Sequence, residues 1–440
     1  MLKRSAIAVT MLALLAGAQA ANGQARNVFL MISDGIGFNG WQASSYYLYE
    51  QGSGDWEDAL PYGPTAGFDM YGSTHYADGG SYDPDYVWAS FKNHMNGATD
   101  SAAAATALYS GVKTYSGAIG MGPDRQPVTL FGEIAAAQGK ATGAVSSVQY
   151  NHATPGAVDA HNVSRGNYGA IAEDMFTSDL DVIMGGDSKD PWDADEAVLA
   201  VENGFEYIHD ASDFVKLANG TYKNGNIPTK LAGSFNGSTL DGRDAPTLKQ
   251  MTQGALRVLE QDPDGMFMMV ESGAVDWNNH GNNMEAMLRE QEDFDNSVKV
   301  VMEWIENNGG YEENLLIVTS DHETGSIWGE LPEGFDENGD VFPQIEDKGV
   351  GNMPGHSYNS GGHTNHLVPL FAKGVGSELF ESLVDGTDTE SGAFWGFDGQ
   401  YVDNTDVFTV MNGATTIPEP TTMALLGIGG LLAIRRRRNR

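Results

Sequence analysis

Apolar runs that end at a carboxylate recur along this chain and predict buried strands. Three such runs occupy residues 26–33, 266–270 and 315–320, just before Asp34, Glu271 and Asp321. Apolar runs without alternation are typical of parallel strands that are covered on both faces. Ligands bind at the carboxyl ends of the strands in open α/β sheets. The pattern therefore predicts three carboxylates at one edge of a sheet.

Further periodic segments complete an α/β pattern. Two more strands and two helices are predicted, at residues 141–148 and 367–373 and at 130–138 and 283–308. Polar, glycine-rich or acidic stretches predict loop-rich insertions at 50–90, 185–250 and 323–362. Strands that alternate with helices favour a doubly wound, mostly parallel central sheet flanked by helices.

The two ends of the chain have the patterns of targeting segments. Residues 1–20 combine a basic start, an apolar run and small residues at a cleavage site, which predicts a secretory signal peptide. Residues 417–440 contain Pro418-Glu419-Pro420, an apolar run and a cluster of arginines. That apolar run, residues 421–434, is shorter than the ~20 residues of a membrane span. The arginines still predict a cytoplasmic C-terminal end, and residues 403–416 are interpreted as a flexible linker.

Composition excludes several kinds of chemistry. The 440 residues include no cysteine, so disulfides, thiolate catalysis and cysteine metal sites are excluded. The formal net charge is -36, which argues against nucleic-acid binding, because that requires a basic face. An anionic substrate would be repelled at long range. Metal ions are the obvious source of the local positive charge that a phosphate site would need.

Residues 98–111 predict a helix that begins with a serine. Asp100 is a good N-cap, the following alanines are strong helix formers, and Gly111 is placed to end the helix. Ser101 would then lie where backbone N–H groups and the helix dipole favour an anion. Taken alone, the segment favours a capped, alanine-rich surface helix over a serine that binds phosphate.

Histidines near the predicted strand ends favour a metal centre. Asp276 and His280 are spaced i, i+4, His322 adjoins Asp321, and His363 precedes the last strand. Mixed histidine and carboxylate ligands suit zinc, whereas sets of oxygen ligands suit magnesium. One histidine at a strand end is usually structural. Several histidines and carboxylates at one sheet edge, beside a helix-capping aspartate and its serine, favour metal chemistry.

Seven ordered segments resemble the motifs of alkaline phosphatases. They are residues 27–37, 100–102 with 110–114, 152–155, 164–165, 270–280, 319–323 and 362–364. The resemblance implies an alkaline phosphatase-like catalytic domain over residues 26–402. It also implies the hydrolysis of phosphate monoesters to an alcohol and inorganic phosphate through a phosphoserine intermediate.

The same resemblance implies two Zn2+ ions and one Mg2+ ion, with ligands assigned by matching position. One zinc set would be Asp276, His280 and His363. The second zinc set would be Asp34, Asp321 and His322. The magnesium set would be Asp34, Thr154 and Glu271. Ser101 would be the nucleophile and Arg165 would bind the phosphate.

Two positions depart from the enteric bacterial pattern of the family. His152 stands where that pattern has aspartate, and Trp277 stands where it has lysine. Both are assigned with Arg165 to substrate binding. For Trp277, packing in the wall of the site is as favoured as a functional role. The departures leave the strength of the magnesium site and the pH optimum open.

The C-terminal tail resembles the PEP-CTERM sorting signals of Gram-negative bacteria. The resemblance implies that inner-membrane sorting machinery recognises and cuts the tail, so that the tail anchors the chain only transiently. It also implies an exported protein in the periplasm, at the cell surface or outside the cell. A simple membrane anchor is the alternative for the tail. A homodimer is expected only by analogy with the family.

Rival functions are disfavoured by particular residues. A sulfatase requires a modified Cys or Ser in a Cys/Ser-x-Pro-x-Arg setting, which residues 101–105 do not provide. Phosphodiesterases of the wider superfamily usually have threonine as the nucleophile and lack the magnesium set. A binding protein on a decayed enzyme scaffold would lack ligands, yet every expected ligand is present.

Overall fold

The computed structural model describes residues 24–188, 196–237 and 245–416. Its strands are β1 (Asn27–Ser33), β2 (Asp69–Thr74), β3 (Ala141–Gln149), β4 (Val182–Gly186), β5 (Glu206–Ile208), β6 (Leu231–Phe235), β7 (Met266–Ser272), β8 (Asn314–Thr319), β9 (Glu323–Thr324), β10 (Ile327–Trp328), β11 (Ser357–Tyr358), β12 (His363–Thr364), β13 (Val368–Gly374), β14 (Gly386–Thr387) and β15 (Gln400–Asp403).

The α-helices in the same residues are α1 (Phe38–Leu48), α2 (Pro84–Ala89), α3 (Ser101–Ser110), α4 (Phe131–Ala137), α5 (Ala153–Gly156), α6 (Tyr168–Thr177), α7 (Glu196–Glu202), α8 (Ala211–Ala218), α9 (Leu248–Leu259), α10 (Ala274–His280), α11 (Met284–Asn307), α12 (Thr389–Trp395) and α13 (Thr405–Thr415).

One large sheet runs through the described part of the chain. Its eleven strands follow the order β14–β15–β2–β13–β8–β1–β7–β3–β4–β6–β5. The strands from β8 to β5 in that order are parallel to one another, and β13 runs antiparallel to both β8 and β2. The predicted α/β class with a mostly parallel central sheet is confirmed.

Strand β1 lies at the centre of the sheet and is buried along its whole length. Phe29 and Met31 contribute to one hydrophobic core, whereas Val28 and Leu30 contribute to the other. The long helix α11 packs on the first core and α3 on the second. A strand covered on both faces explains why its sequence is apolar without alternation.

Register brings the predicted carboxylates to one edge. Ile32 of β1 pairs with Glu271 of β7 on one side and with Thr319 of β8 on the other. Asp34 and Asp321 follow within two residues of those pairs. The three carboxylates therefore emerge at one level of the central sheet.

The interpretation of residues 403–416 as a flexible linker was wrong. Residues Thr405–Thr415 form α13, and Val407, Val410 and Met411 on it are fully buried. The backbone N–H of Ala25 also donates to the carbonyl of Ala414 at 2.8 Å. These apolar side chains recur at helical spacing, and they pack in the same core as the apolar side chains of α3.

Two of the predicted loop-rich insertions contribute strands to the sheet. Residues 50–90 contain β2, and residues 185–250 contain β5, β6 and the end of β4. The prediction that these stretches consist of loops was wrong at those strands. Glycines and serines within β2 and β6 hide the strand signal, although most of those residues are buried.

The predicted signal peptide at 1–20 and the sorting tail at 417–440 lie outside the described residues. Among the helices of the described part, none has the length and hydrophobicity that a membrane span requires.

The burial of α13 predicts a sharp difference between two truncated proteins. A chain of residues 24–416 should unfold at the same thermal midpoint as the full chain. A chain of residues 24–403 loses three fully buried apolar side chains, each contributing about 1.5–3 kcal/mol. It should melt well below the longer chain or fail to accumulate as soluble protein. Equal midpoints by differential scanning fluorimetry would show that α13 contributes nothing.

Candidate active site

Ser101 is the first residue of α3, as predicted. The Asp100 carboxylate accepts a hydrogen bond from the backbone N–H of Ala103 at 3.2 Å, which caps the helix, and Gly111 ends it in a left-handed conformation. Ser101 is 1% exposed, and its Oγ lies 3.1 Å from Nε2 of His322. The serine therefore faces a histidine from the distant β8 segment, which excludes a solvated surface helix.

Asp100 also fixes the arginine. Its Oδ2 accepts a hydrogen bond from Nη1 of Arg165 at 3.0 Å, and its Oδ1 accepts one from the N–H of Gly117 at 2.9 Å. The other guanidinium nitrogen, Nη2, donates to Nε2 of His152 at 3.1 Å. The Arg165 side chain is about one quarter exposed. Arg165 is thus held beside the serine with part of its surface open to a ligand.

Asp276, His280 and His363 form what we call the outer group. Nε2 of His280 lies 3.4 Å from Asp276 Oδ2, and Nε2 of His363 lies 3.7 Å from Asp276 Oδ1. The two Nε2 atoms are 3.1 Å apart. The His280 side chain is 40% exposed, so this group borders the solvent.

Asp34, Asp321 and His322 form the inner group, which is fully buried. Nε2 of His322 lies 3.6 Å from Asp34 Oδ1 and 3.3 Å from Asp321 Oδ2. The rings of His322 and His363 stack with centroids 3.7 Å apart. The inner and outer groups are therefore adjacent, and Ser101 adjoins the inner one.

We call the three predicted magnesium ligands, Asp34, Thr154 and Glu271, the oxygen group. Ser146 donates a hydrogen bond to Oε2 of Glu271. Ligand atoms of Asp34, Glu271 and His152 lie within 4.8 Å of one another. The structure thus places His152 beside the predicted magnesium ligands as well as beside Arg165, an arrangement that its sequence position alone did not indicate.

All three histidines present Nε2 to these groups. Nδ1 of His280 donates to the carbonyl of Gly361 at 2.7 Å, and Nδ1 of His363 donates to the carbonyl of Thr99 at 2.7 Å. Nδ1 of His322 lies 3.3 Å from the hydroxyl oxygen of Thr324. A proton fixed on Nδ1 leaves the lone pair of Nε2 available to a metal ion.

Buried charge dominates the electrostatics of the inner group. Burial, with the charges of Asp321, Asp276 and Glu271, raises the pKa of Asp34 well above its usual range. Burial raises the pKa of Asp321 to about 7. Burial also lowers the pKa of His322 well below its ordinary value, which favours the neutral imidazole. A cation beside such carboxylates would favour their ionised form.

The outer group behaves differently because a histidine neutralises its carboxylate. The hydrogen bond to Asp276 raises the pKa of His280 to about 9. Burial alone would raise the pKa of Asp276, but the hydrogen bond and charge of His280 hold it below the usual value. The outer group thus carries less uncompensated negative charge than the inner group.

Donor atoms without hydrogen bonds test whether metal ions fit. Within the described residues, hydrogen-bond partners are missing for both carboxylate oxygens of Asp34, Oδ2 of Asp321, Oε1 of Glu271 and Oγ1 of Thr154. Leaving buried carboxylate oxygens uncompensated is costly. The inner group offers mixed nitrogen and oxygen donors and the oxygen group offers oxygens, so both fit cations.

Two residues of the site were missed or undervalued in the sequence. Asp100 was interpreted as a helix cap alone, although its position beside Ser101 was a signal of a second role. Thr324 was not identified, yet its hydroxyl donates to Asp276 Oδ1 at 2.6 Å and contacts His322. No spacing rule could have found Thr324, because it acts between the inner and outer groups.

Trp277 lies at the edge of the site and is partly exposed. Its ring meets that of His152 edge to face, with centroids 6.0 Å apart. This contact fits both the packing and the substrate-binding interpretations of Trp277.

Histidines and buried carboxylates beside a helix-capping aspartate and its serine, at the carboxyl edge of an α/β sheet, are typical of metal-dependent hydrolases. The sequence profile of the alkaline phosphatase family matches residues 25–346, and the chain belongs to this family. A second profile, described as a PEP-CTERM protein-sorting motif, matches residues 416–438. Both resemblances drawn from the sequence are confirmed.

Relatives from several bacteria support the same conclusion. Alkaline phosphatase 3 of Bacillus subtilis is 29% identical, with 84% of this chain and 88% of the relative covered. The alkaline phosphatase of Escherichia coli is 30% identical, with 68% and 70% covered. The family and these relatives identify the chain as a phosphomonoesterase.

Solved structures share the fold over nearly the whole described chain. The alkaline phosphatase of the Antarctic bacterium TAB5 is 26% identical, with a TM-score of 0.65, and 90% of this chain and 99% of that chain are covered. A cold-active enzyme from Shewanella sp. has a TM-score of 0.68 at 23% identity, covering 89% and 100%, and shows the fold alone.

The crowded carboxylates predict that a chelator destabilises the protein. Two sites filled at 100 times their dissociation constants would each contribute about 2.7 kcal/mol. Their loss corresponds to a fall in the thermal midpoint of roughly 5–10 °C at this chain length. Melting curves with and without EDTA at pH 8, followed by zinc and magnesium restoration, measure the effect. Superimposable curves would exclude a structural role for metal ions.

Proposed function

We propose that the protein hydrolyses phosphate monoesters through a phosphoserine formed on Ser101. The observation that carries the proposal is the contact of Ser101 Oγ with Nε2 of His322, 3.1 Å away, inside the inner group. The N-terminus of α3 adds backbone dipoles that favour a phosphate at the same place. A serine in a merely structural role does not require four buried carboxylates and three histidines near it.

The donor sets support two Zn2+ ions and one Mg2+ ion. The outer and inner groups would hold zinc, since both mix imidazole nitrogen with carboxylate oxygen. The oxygen group would hold magnesium, with Asp34 shared between it and the inner group. A structure of the TAB5 enzyme in which one histidine is replaced by glutamate is described with bound Mg. When bound, such ions lower the pKa of a nucleophilic hydroxyl and neutralise a leaving alkoxide.

The reaction would proceed in two displacements. Ser101 Oγ attacks phosphorus, the ester P–O bond breaks, and the leaving alkoxide takes up a proton to become the alcohol. A water molecule then attacks the phosphoserine, the P–Oγ bond breaks, and inorganic phosphate leaves. Each displacement inverts phosphorus, so the net outcome is retention.

Arg165 would bind the phosphoryl oxygens through both reactions. A guanidinium can donate two parallel hydrogen bonds to a phosphate. Asp100 orients it through the 3.0 Å contact, and His152 accepts from its second nitrogen. Binding a phosphate would then require Nη2 to exchange or share its bond to His152. Trp277 would border the leaving group.

The location of the enzyme is proposed from its two ends. The N-terminal segment at 1–20 would direct export, and the PEP-CTERM motif would bring the tail to inner-membrane sorting machinery. We place the catalytic domain outside the cytoplasm, in the periplasm, at the cell surface or beyond it, with the tail as a transient anchor. A mature extracellular chain that still ends at Arg440 would contradict removal of the tail.

A homodimer stays a hypothesis, which size-exclusion chromatography with light scattering tests.

Replacing the nucleophile should abolish turnover and the covalent intermediate together. Ser101→Ala should lower kcat for p-nitrophenyl phosphate by roughly a thousandfold or more, since removing a nucleophile removes a whole pathway. Acid quenching of the wild-type enzyme during turnover should leave phosphate on Ser101, detectable by peptide mass spectrometry.

Ser110→Ala is the matched control for that substitution. Ser110 is also buried on α3, but its hydroxyl donates to the carbonyl of Thr106 at 2.6 Å, away from the inner group. Its variant should retain activity and the phosphorylated Ser101. Wild-type turnover by a metal-replete Ser101→Ala enzyme would overturn the assignment.

Removing the arginine should weaken phosphate binding more than it slows the chemical step. Hydrogen bonds to charged groups contribute about 1.5–3 kcal/mol each, so Arg165→Ala should raise KM and the inhibition constant of phosphate roughly tenfold or more. Arg125→Ala is the control, because Arg125 is exposed and stacks over Tyr115 instead. Unchanged phosphate inhibition in Arg165→Ala would place the phosphate elsewhere.

A further inference from the structure

Asn279 connects the segments that carry the two histidine-containing groups. It lies on α10 between Asp276 and His280 of the outer group and is fully buried. Its Nδ2 donates to the carbonyl of Gly35 at 3.0 Å, and its Oδ1 accepts from the hydroxyl of Tyr358 at 2.8 Å. The side chain therefore joins the outer-group helix to the residue that follows Asp34.

Gly35 is tied to the inner group at its other end. Its N–H donates to Oδ1 of Asp321 at 3.1 Å. Its φ is +72°, and a Cβ at this position would lie 2.6 Å from Oδ1 of Asp276. A left-handed conformation and this close approach both require glycine. Through its hydrogen bond to Gly35, Asn279 thus links the outer-group helix to the loop that follows Asp34 and is bonded to Asp321.

The carbonyl of Gly35 fixes the direction in which that amide points. An asparagine side chain can turn over and exchange its donor and acceptor, but a carbonyl only accepts, so Nδ2 must face Gly35. The hydroxyl of Tyr358 can donate or accept, and it donates to the Oδ1 atom on the other side of the amide. Tyr358 is itself held by the antiparallel pairing of β11 with β10.

We infer that Asn279 is a positioning residue that fixes the distance between the inner and outer groups. The inference rests on the proposed function, in which both groups hold zinc. The inner group is set by adjacent strands, whereas two of the three outer-group residues, Asp276 and His280, depend on a short helix of seven residues. Without the amide bridge, α10 can shift against the Gly35 loop and carry these two residues away from His363, which lies on β12. Displacements near 1 Å cost reaction rates about a hundredfold.

The test compares zinc affinity with turnover in two variants. Asn279→Leu keeps the approximate volume and removes both hydrogen bonds, and Tyr358→Phe removes only the hydrogen bond to Oδ1 of Asn279. Zinc competition against a chromophoric chelator should give two dissociation constants. In Asn279→Leu one zinc dissociation constant should rise roughly tenfold, as it does when a residue that orients a ligand is replaced. The other dissociation constant should stay at the wild-type value. At saturating zinc, kcat should fall more than KM changes.

Asn314→Leu provides the matched control. Asn314 is equally buried, and it bonds the carbonyls of Asn308 and Gly310 and the side chain of Asn27 at the opposite end of the sheet. This variant should lose stability yet keep both zinc constants. Equal shifts in the Asn279 and Asn314 variants would mean a general loss of stability and would overturn the inference.

The remaining outcomes also decide the question. Wild-type zinc constants and kcat in Asn279→Leu would overturn the inference. If that variant does not fold, Tyr358→Phe decides: a smaller shift of one zinc constant supports the positioning role, and unchanged constants exclude it. The proposed function fails separately, when the wild-type protein shows no phosphorylated Ser101. The zinc titration remains interpretable in that case, because it needs no turnover.

Discussion

The crowding of buried carboxylates at the centre of the sheet is the constraint on which the site depends. β1 pairs with β7 and β8 so that Asp34, Glu271 and Asp321 emerge at one level. Burial and mutual repulsion then raise the pKa of Asp34 far above its usual range. Neutral side chains would avoid this penalty, so the arrangement is stable only with bound cations or bound protons. The three histidines, each with Nδ1 engaged, complete a set of donors in the form that cations require.

A protein with a net charge of -36 can bind an anionic substrate, because the repulsion from the surface and the attraction inside the site act over different distances. At physiological ionic strength, exposed charges are screened beyond about 8 Å, so the acidic surface mainly slows encounter. Inside the site, Arg165, the start of α3 and the proposed cations would act at contact distance and with little water between. These local charges would therefore determine binding, whereas the surface charge would mainly affect solubility.

Strand-end carboxylates could be predicted from sequence, because apolar runs predict the strands and the carboxyl ends of parallel strands lie at the same edge of the sheet. The order β8–β1–β7 could not, since it depends on pairing between segments more than two hundred residues apart. The signal for α13 was present in Val407, Val410, Met411 and Ala414, but threonine, asparagine and glycine between them suggested a linker. Thr324 and Asn279 carry no pattern at all, because their roles exist only where two distant elements meet.

The acidic insertion at 323–362 illustrates how polar loops can control a metal centre without supplying a ligand. It provides the hydroxyl of Thr324 to His322, the carbonyl of Gly361 to His280, and Tyr358 to the amide of Asn279. Each contact sets the tautomer or the direction of a neighbouring group, so a change in the loop alters the donors without removing one. Strand ends determine which atoms face the cations, and this insertion determines how firmly those atoms are held. Variation of loop sequence on a constant sheet would therefore adjust metal affinity and rate while the ligands themselves stay the same.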